Sequence, residues 1–121
     1  MVAKITSGKS LYGVLAYNKI KVDDGKGRVI FCNDMIVPED PARIDIKSCM
    51  RSFEPYLNAN RNTKKPIFHV SLNPSPEDEL SDAELHSIAQ RYMQEMGYEE
   101  QPYIVYLHND IERMHLHVVS V

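Results

Sequence analysis

Three of the chain's five histidines lie near its end, as His108, His115 and His117. His115 and His117 are two residues apart, so on a β-strand both imidazoles point to the same face. His108 ends the preceding apolar run, and the residues 109–114 between the two runs predict an antiparallel hairpin loop. In that hairpin His108 lies opposite His115, with Cβ atoms roughly 5 Å apart, and His117 is one diagonal step away. Three converging imidazoles can bind a divalent metal ion and leave positions open for water or substrate.

The residue types leave several roles open. The spacing does not choose among zinc, magnesium and manganese, and three unrelated strand histidines would give the same pattern. Asp110 follows His108 in the loop, where it could orient an imidazole, act as a base near a metal, or be an ordinary turn residue. Tyr12 and Tyr17 lie on the first predicted helix. A tyrosine hydroxyl can be a covalent nucleophile if a metal or base is near, because its ordinary pKa is about 10, but most tyrosines are packing residues.

Length and composition predict one globular domain. The chain has 121 residues, of which 43% are hydrophobic and 26% are charged, as is typical of globular proteins. No apolar run approaches the roughly 20 residues that span a bilayer, and the first residues do not form a signal peptide. Cys32 and Cys49 have no paired spacing, so we expect buried thiols rather than a disulfide. We therefore expect a cytoplasmic protein without membrane insertion.

Charge is divided unevenly along the chain. The net charge of −3 argues weakly against a nucleic-acid partner. However, residues 1–65 carry 12 Lys+Arg and 7 Asp+Glu, a balance of +5, while residues 66–121 carry 2 and 10, a balance of −8. This asymmetry allows one basic face on an acidic chain. The same lysines would also fit an ordinary solvated surface.

The hydrophobic pattern predicts the element order β-α-β-α-β-α-β-β. We expect a short helix over 10–18, a second helix capped by Asp40, and a third that begins with a capping box at Ser81. The last two strands are expected near 102–108 and 115–121. His69, alone in the third strand, is expected to be an ordinary sheet residue. The order favours an α+β two-layer sandwich with a mainly antiparallel sheet and helices on one face. The histidine-bearing face would then be uncovered and available to a substrate.

Three segments, in order, resemble the relaxases, the mobilisation nucleases of the His-hydrophobe-His endonuclease superfamily. The first segment, 7–18, ends in Tyr17-Asn, and the second contains His69-Val-Ser-Leu-Asn73. The third is Tyr-Leu-His108-Asn-Asp110 followed by His115-Leu-His117. The resemblance spans nearly the whole chain and implies a ferredoxin/RRM-like form of the predicted fold. Asn73 stands where the family often has serine. Because family members usually continue further, we expect residues 1–121 to be a relaxase catalytic domain that is incomplete at its C-terminus.

The resemblance implies site- and strand-specific nicking of single-stranded DNA at an origin of transfer, for mobilisation of a plasmid or other mobile element in a bacterium. Tyr17 would attack a phosphodiester to give a 5′-phosphotyrosyl enzyme, with Tyr12 as the second candidate. His108, His115 and His117 would hold Mg²⁺ or Mn²⁺, assisted by Asp110. Relaxosome accessory proteins and a coupling protein are implied as partners. The residues expected to contact DNA are Lys4, Lys9, Ser10, Lys19, Lys21 and Asn73.

Two other functions stay open on the residues alone. A metal-dependent phosphoesterase without a covalent tyrosine would need only the three histidines. A non-catalytic DNA-binding module of the same fold would fit the acidic net charge. The three functions differ in whether DNA is cut and in whether the protein becomes covalently attached to it.

Overall fold

The computed structural model describes residues 2–8, 10–40, 43–59, 62, 66–75, 79–109 and 114–121. The elements follow the predicted order. They are β1 (Val2–Gly8), α1 (Leu11–Asp23), β2 (Gly27–Asn33), α2 (Ile46–Ala59), β3 (Ile67–Asn73), α3 (Asp82–Glu95), β4 (Tyr103–His108) and β5 (His115–Ser120). Among the described helices, none has the length and apolar character that crossing a membrane requires.

The strands form a five-stranded antiparallel sheet in the order β1-β3-β5-β4-β2. β1 and β2 are therefore the edges, and β5 lies in the middle. In the β4–β5 hairpin His108 pairs with His115, and Tyr106 pairs with His117. The α+β class, the antiparallel sheet and the register of the last hairpin are confirmed.

Helices cover both faces of this sheet. On one face, which we call the α1/α2 face, Ile104 and Tyr106 of β4 pack with buried residues of α1 and α2. On the other, the α3 face, Tyr103 and Val105 pack with Leu85 and other residues of α3. α1 and α2 lie on one face, as predicted, whereas α3 packs on the opposite face. All six residues of β4 are buried, so both of its faces need cover.

Helix termini follow local capping chemistry, with one exception to the prediction. Ser81 and Glu84 form the predicted capping box at the start of α3. The predicted cap of α2 at Asp40 is wrong. α2 begins at Ile46, after Asp45, whose Oδ1 accepts a hydrogen bond from the Ser48 N–H at 2.8 Å. Asp45 directly precedes the buried stripe of α2, so it can satisfy the free N–H groups of the first turn.

α1 is longer than predicted and continues to Asp23. Ser10 caps it by accepting a hydrogen bond from the Gly13 N–H at 3.0 Å. Its buried residues are Leu11, Leu15 and Asn18, which form one stripe toward the sheet. This stripe fixes α1 on the sheet and so determines where the side chains on its flanks lie.

Candidate metal centre and tyrosine

Three histidines converge where β4 ends and β5 begins. One ring nitrogen from each of His108, His115 and His117 lies within 4.8 Å of one ring nitrogen from each of the other two. The ring centroids of His108 and His117 are 4.0 Å apart, and His115 lies 5.4 Å from His108 and 4.8 Å from His117. The cross-strand register brings the rings together as the sequence predicts.

The cluster is more enclosed than expected. His108 is fully buried, His117 is 8% exposed, and His115 is half-buried. All three lie on the α1/α2 face, because they alternate with Leu107, Leu116 and Val118 of the α3 face. The prediction that the histidine-bearing face is uncovered is wrong, since α1 and α2 pack on its β4 side.

The other side of the same face is polar and more open. Lys4 of β1 pairs with Ser71 of β3, which pairs with His117 of β5, so the three lie in one row across the sheet. A second row joins Thr6 to His69. We call the exposed or half-buried side chains of these two strands the polar strip: Lys4, Thr6, His69, Ser71 and Asn73. The histidine cluster lies at the border between the covered half and the polar strip.

Tyr17 is brought to this cluster by α1. Its ring centroid lies 6.2 Å from that of His108, with the rings inclined by 57°. The side chain is 51% exposed, so it faces both the histidines and solvent. Lys21, one turn later on the helix, holds its Nζ 5.8 Å from the centre of the Tyr17 ring. Within the described residues, the Tyr12 ring contacts none of the histidines, although it is also exposed. The two candidate tyrosines are therefore not equivalent.

The residues expected to contact DNA do not all lie near the cluster. Lys4 and Asn73 lie on the polar strip, and the Asn73 Nδ2 donates to Ser71 Oγ at 3.0 Å. Ser10 serves as the helix cap described above. Lys19 forms an ion pair with Asp23 at 3.2 Å and lines a small cavity beside Asp45 and Cys49, toward α2. Lys9 and Asp110 lie outside the described residues.

His69 joins the cluster, although it is predicted from the sequence to be an ordinary sheet residue. Its Nε2 lies 2.9 Å from Nδ1 of His117, and the two rings are stacked at 5.1 Å. Its Nδ1 lies 3.4 Å from the Thr6 hydroxyl oxygen. Burial lowers the pKa of His69 below its ordinary value, which favours the neutral imidazole. The sequence does contain a pattern that indicates this face: His69, Ser71 and Asn73 alternate with the apolar residues of their strand, so all three lie on one side of the sheet.

Gly27 and Asn18 are neighbours of His108 and Tyr17 that are not among the residues predicted from the sequence. Gly27 pairs with His108, and a Cβ there would lie 2.8 Å from the Leu107 carbonyl oxygen and 3.2 Å from the His108 ring. Only glycine fits this close approach without a shift. Asn18 is fully buried beneath α1, next to Tyr17 in sequence, and its Nδ2 donates to the Val14 carbonyl at 2.9 Å. Asn18 can be recognised in the sequence because it is a polar residue on the same helix stripe as Leu11 and Leu15.

The covered half of this face offers no reactive thiol at neutral pH. Burial raises the pKa of Cys32 to about 12, with a smaller contribution from Cys49. Burial likewise raises the pKa of Cys49 to about 11 and also raises that of Tyr106. Thiols with raised pKa values stay protonated and inert. Neither thiol is therefore suited to act as a nucleophile on this face.

The three histidines fit a metal ion by donor type and by spacing. Neutral imidazoles suit first-row transition metals, whereas Mg²⁺ prefers oxygen ligands. Two metal–nitrogen bonds of about 2.1 Å reach across at most about 4.2 Å, so small ring rotations would bring the nitrogens onto one ion. Three protein ligands also leave coordination positions for a substrate oxygen. The arrangement could therefore hold a metal ion next to an exposed tyrosine.

A known protein family matches most of the chain. Residues 16–121 match a family model described as "Relaxase: MobA/VirD2-like, nuclease domain". The matched range contains Tyr17, His69 and the three clustered histidines. No curated protein and no solved structure matches the chain.

Proposed function

Because the chain belongs to the family of MobA/VirD2-like relaxases, we propose that it nicks one DNA strand at an origin of transfer through Tyr17. Family membership supports a nuclease that acts in DNA nicking and mobilisation and binds single-stranded DNA. The residues that carry out the step, the covalent intermediate and the origin are our proposal. The observation that carries it is the 6.2 Å approach of the Tyr17 ring to His108.

The proposed reaction is a transesterification. Tyr17 Oη attacks the phosphorus of a phosphodiester, a P–O bond to tyrosine forms, and the bond from phosphorus to the 3′ oxygen breaks. The tyrosine proton passes to a base, for which Asp110 is our candidate, and the leaving 3′ oxygen takes up a proton. The phosphodiester energy is retained in the 5′-phosphotyrosine, so the 3′ hydroxyl can reverse the step and rejoin the strand.

His108, His115 and His117 would hold a divalent ion beside Tyr17. When bound, the ion would supply positive charge that neutralises charge developing on the phosphate. Of the two ions implied by the resemblance, we propose Mn²⁺, because three nitrogen donors suit it better than Mg²⁺. Lys21, close to the Tyr17 ring, would add a second positive charge near the attacking oxygen.

The polar strip supports a path for a single DNA strand. It borders the histidine cluster and carries Lys4 and Asn73, which can bind phosphate or sugar oxygens. The exposed aromatic and apolar side chains of α1, Tyr12 and Ile20, would offer surfaces against which unpaired bases can stack or pack. We propose that relaxosome accessory proteins and a coupling protein act with this domain.

The test uses single-stranded oligonucleotides tiled across the DNA that flanks the gene, including its inverted repeats, with Mn²⁺. Wild-type protein is expected to cut one oligonucleotide at one position and to form an adduct that migrates slowly in a denaturing gel. Tyr17→Phe should form no adduct, because the attacking oxygen is absent. Tyr12→Phe is the matched control and should retain the adduct.

Three outcomes would contradict the proposal. An adduct that persists in Tyr17→Phe would mean that another residue is the nucleophile. Cleavage without any adduct would favour a metal-dependent phosphoesterase that transfers the phosphate to water. A DNA complex that is stable to a chelator and never nicked, with any divalent metal, would favour a non-catalytic DNA-binding module.

A further inference from the structure

A short polar contact joins two imidazoles of adjacent strands in the histidine group. His69 of β3 and His117 of β5 both lie on the α1/α2 face, and Nε2 of His69 is 2.9 Å from Nδ1 of His117. At that distance the two nitrogens share one proton in a hydrogen bond. One nitrogen must be the donor and the other the acceptor, so the contact couples the tautomers of the two rings.

The metal role of His117 determines the direction of that bond. His117 uses Nδ1 toward His69, so its other nitrogen, Nε2, is the one left to act as a metal ligand. A ligating nitrogen must present a lone pair, so in the neutral ring the proton resides on Nδ1. His117 Nδ1–H then donates to Nε2 of His69, which must be unprotonated.

The second nitrogen of His69 extends the series of hydrogen bonds to Thr6. With Nε2 as the acceptor, the proton of neutral His69 resides on Nδ1, which lies 3.4 Å from the Thr6 hydroxyl oxygen. The Thr6 hydroxyl in turn lies 3.4 Å from the His69 carbonyl oxygen, to which it can donate. These contacts are long, so Thr6 would hold the His69 ring more weakly than His69 holds His117.

We propose that His69 is a positioning residue that fixes His117 in the tautomer and ring orientation needed to bind a metal ion. The inference rests on the metal site of the proposed function. Ligating histidines in metal sites commonly donate their second N–H to a carboxylate, a carbonyl or water, and loss of that partner weakens metal binding. In this chain an imidazole from the neighbouring strand takes the place of that partner.

Tautomers are measured first, in the metal-free protein, by long-range ¹H–¹⁵N NMR of the histidine rings. Wild type is expected to show His117 protonated at Nδ1. In His69→Leu the acceptor is gone, and His117 should shift toward the Nε2–H tautomer that isolated imidazoles favour. If His117 carries its proton on Nε2 in wild type, the proposal is overturned, whatever the protein does to DNA.

Metal affinity is measured next, by calorimetry with Mn²⁺ alone. His69→Leu should bind Mn²⁺ about 10- to 100-fold more weakly than wild type. His69→Gln places an amide oxygen near the position of Nε2 and should retain most of the affinity. Thr6→Val should give a smaller loss than His69→Leu. Unchanged affinity in His69→Leu, or equal losses in the Leu and Gln variants, would contradict the acceptor role.

Thermal unfolding of the metal-free variants shows whether a loss of metal affinity comes from a loss of folding stability. His69→Leu is expected to have a melting temperature close to that of wild type. A loss of affinity that is matched by a large fall in the melting temperature would overturn the specific role. The outcomes for the two proposals are distinguishable. Failure of wild type to bind any divalent metal would contradict the proposed metal site, while the NMR result on the metal-free protein would still decide the role of His69.

Discussion

The same three strands, β3, β4 and β5, present different residues to the two sides of the sheet. On the α3 face the strands present apolar or aromatic residues: Phe68, Val70, Leu72, Tyr103, Val105, Leu107, Leu116 and Val118. The exception is Ser120, whose buried hydroxyl donates to the Pro102 carbonyl at 2.7 Å. On the α1/α2 face Ile104, Tyr106 and Val119 pack under the helices. The rest of this face carries the clustered histidines and the polar strip. The net charge also differs, because residues 1–65, which contain α1 and α2, have a balance of +5, and residues 66–121, which contain α3, have a balance of −8.

The α3 face therefore supplies most of the apolar packing of these strands, and the α1/α2 face carries the candidate site. The α3 face buries apolar side chains along the full length of the strands, so it stabilises the positions of the backbone. The α1/α2 face can then carry buried imidazoles, which contribute little hydrophobic free energy and need hydrogen-bond or metal partners. Substitutions on the two faces should therefore change different measured quantities.

The largest effect on stability is expected from Leu116→Ala. Leu116 is fully buried on the α3 face between His115 and His117 of β5. The substitution should lower the free energy of unfolding by about 2–5 kcal/mol, since it removes buried methyl groups and leaves a cavity. Urea denaturation of the metal-free protein measures this loss. The fraction that remains folded should bind Mn²⁺ as wild type does. A large loss of affinity without destabilisation would contradict the division of roles between the two faces.

The opposite pattern is expected for His115→Ala. His115 is half-buried, so its removal should change the free energy of unfolding little in the metal-free protein. Mn²⁺ affinity should fall by at least about 100-fold, because loss of a direct ligand costs more than loss of an outer partner. Calorimetry checks this. The control is His86→Ala, because the His86 ring packs against Phe31 at 3.8 Å, outside the cluster. This variant should bind Mn²⁺ normally, and equal losses in both variants would contradict the assignment.

A change in both quantities is expected for Gly27→Ala. The new Cβ would press on the Leu107 carbonyl and the His108 ring, so β2 or His108 must move. We expect a stability loss of about 1–3 kcal/mol together with weaker Mn²⁺ binding. The matched control is Gly25→Ala, where φ is +73° and nothing lies within 4 Å. That variant should lose some stability through backbone strain and keep its metal affinity, and the reverse result would rule out Gly27 as a support for His108.

The smallest effect is expected from Asp82→Asn. Asp82 accepts two hydrogen bonds of 2.6 Å from Arg28, which hold the pKa of Asp82 below its ordinary value of 3.8. A lowered carboxyl pKa stabilises the fold above the ordinary value, and this contribution is lost as the pH falls through the folded pKa. Both side chains are more than half exposed, so the pair should contribute at most about 1 kcal/mol near neutral pH.

Chemical denaturation at several pH values checks this prediction. Wild type and Asp82→Asn should differ slightly at neutral pH and converge in acid, where Asp82 is protonated in both states of the wild type. A difference that grows as the pH falls would contradict the sign. High salt should also reduce the difference, because the pair is exposed to solvent.

Much of the fold could be predicted because its signals are local. The alternation in β4 and β5 and the length of their loop predict the pairing of His108 with His115. Ser81 and Glu84 encode the start of α3 within one turn. The start of α2 was misplaced because Asp40 and Asp45 are both good caps, and only the packing of the helix stripe selects Asp45.

The parts that could not be predicted depend on contacts between distant segments. Whether α3 covers the second face is decided by the burial of β4 on both sides. That His69 meets His117 depends on the placement of β3 beside β5, and the same strand order exposes the polar strip. The close approach of Gly27 to His108 follows from the β2–β4 pairing, which no local pattern encodes.

In the proposed function, Tyr17 and the histidine cluster form one nicking site. The most direct measurement is mass spectrometry of wild-type protein trapped with a cut oligonucleotide and Mn²⁺, after digestion to peptides. We expect the peptide containing Tyr17 to carry the DNA through a 5′ phosphate on the tyrosine oxygen, and we expect a chelator to prevent the adduct. DNA attached to a different residue, or a cut strand with a free 5′ phosphate and unmodified Tyr17, would contradict it.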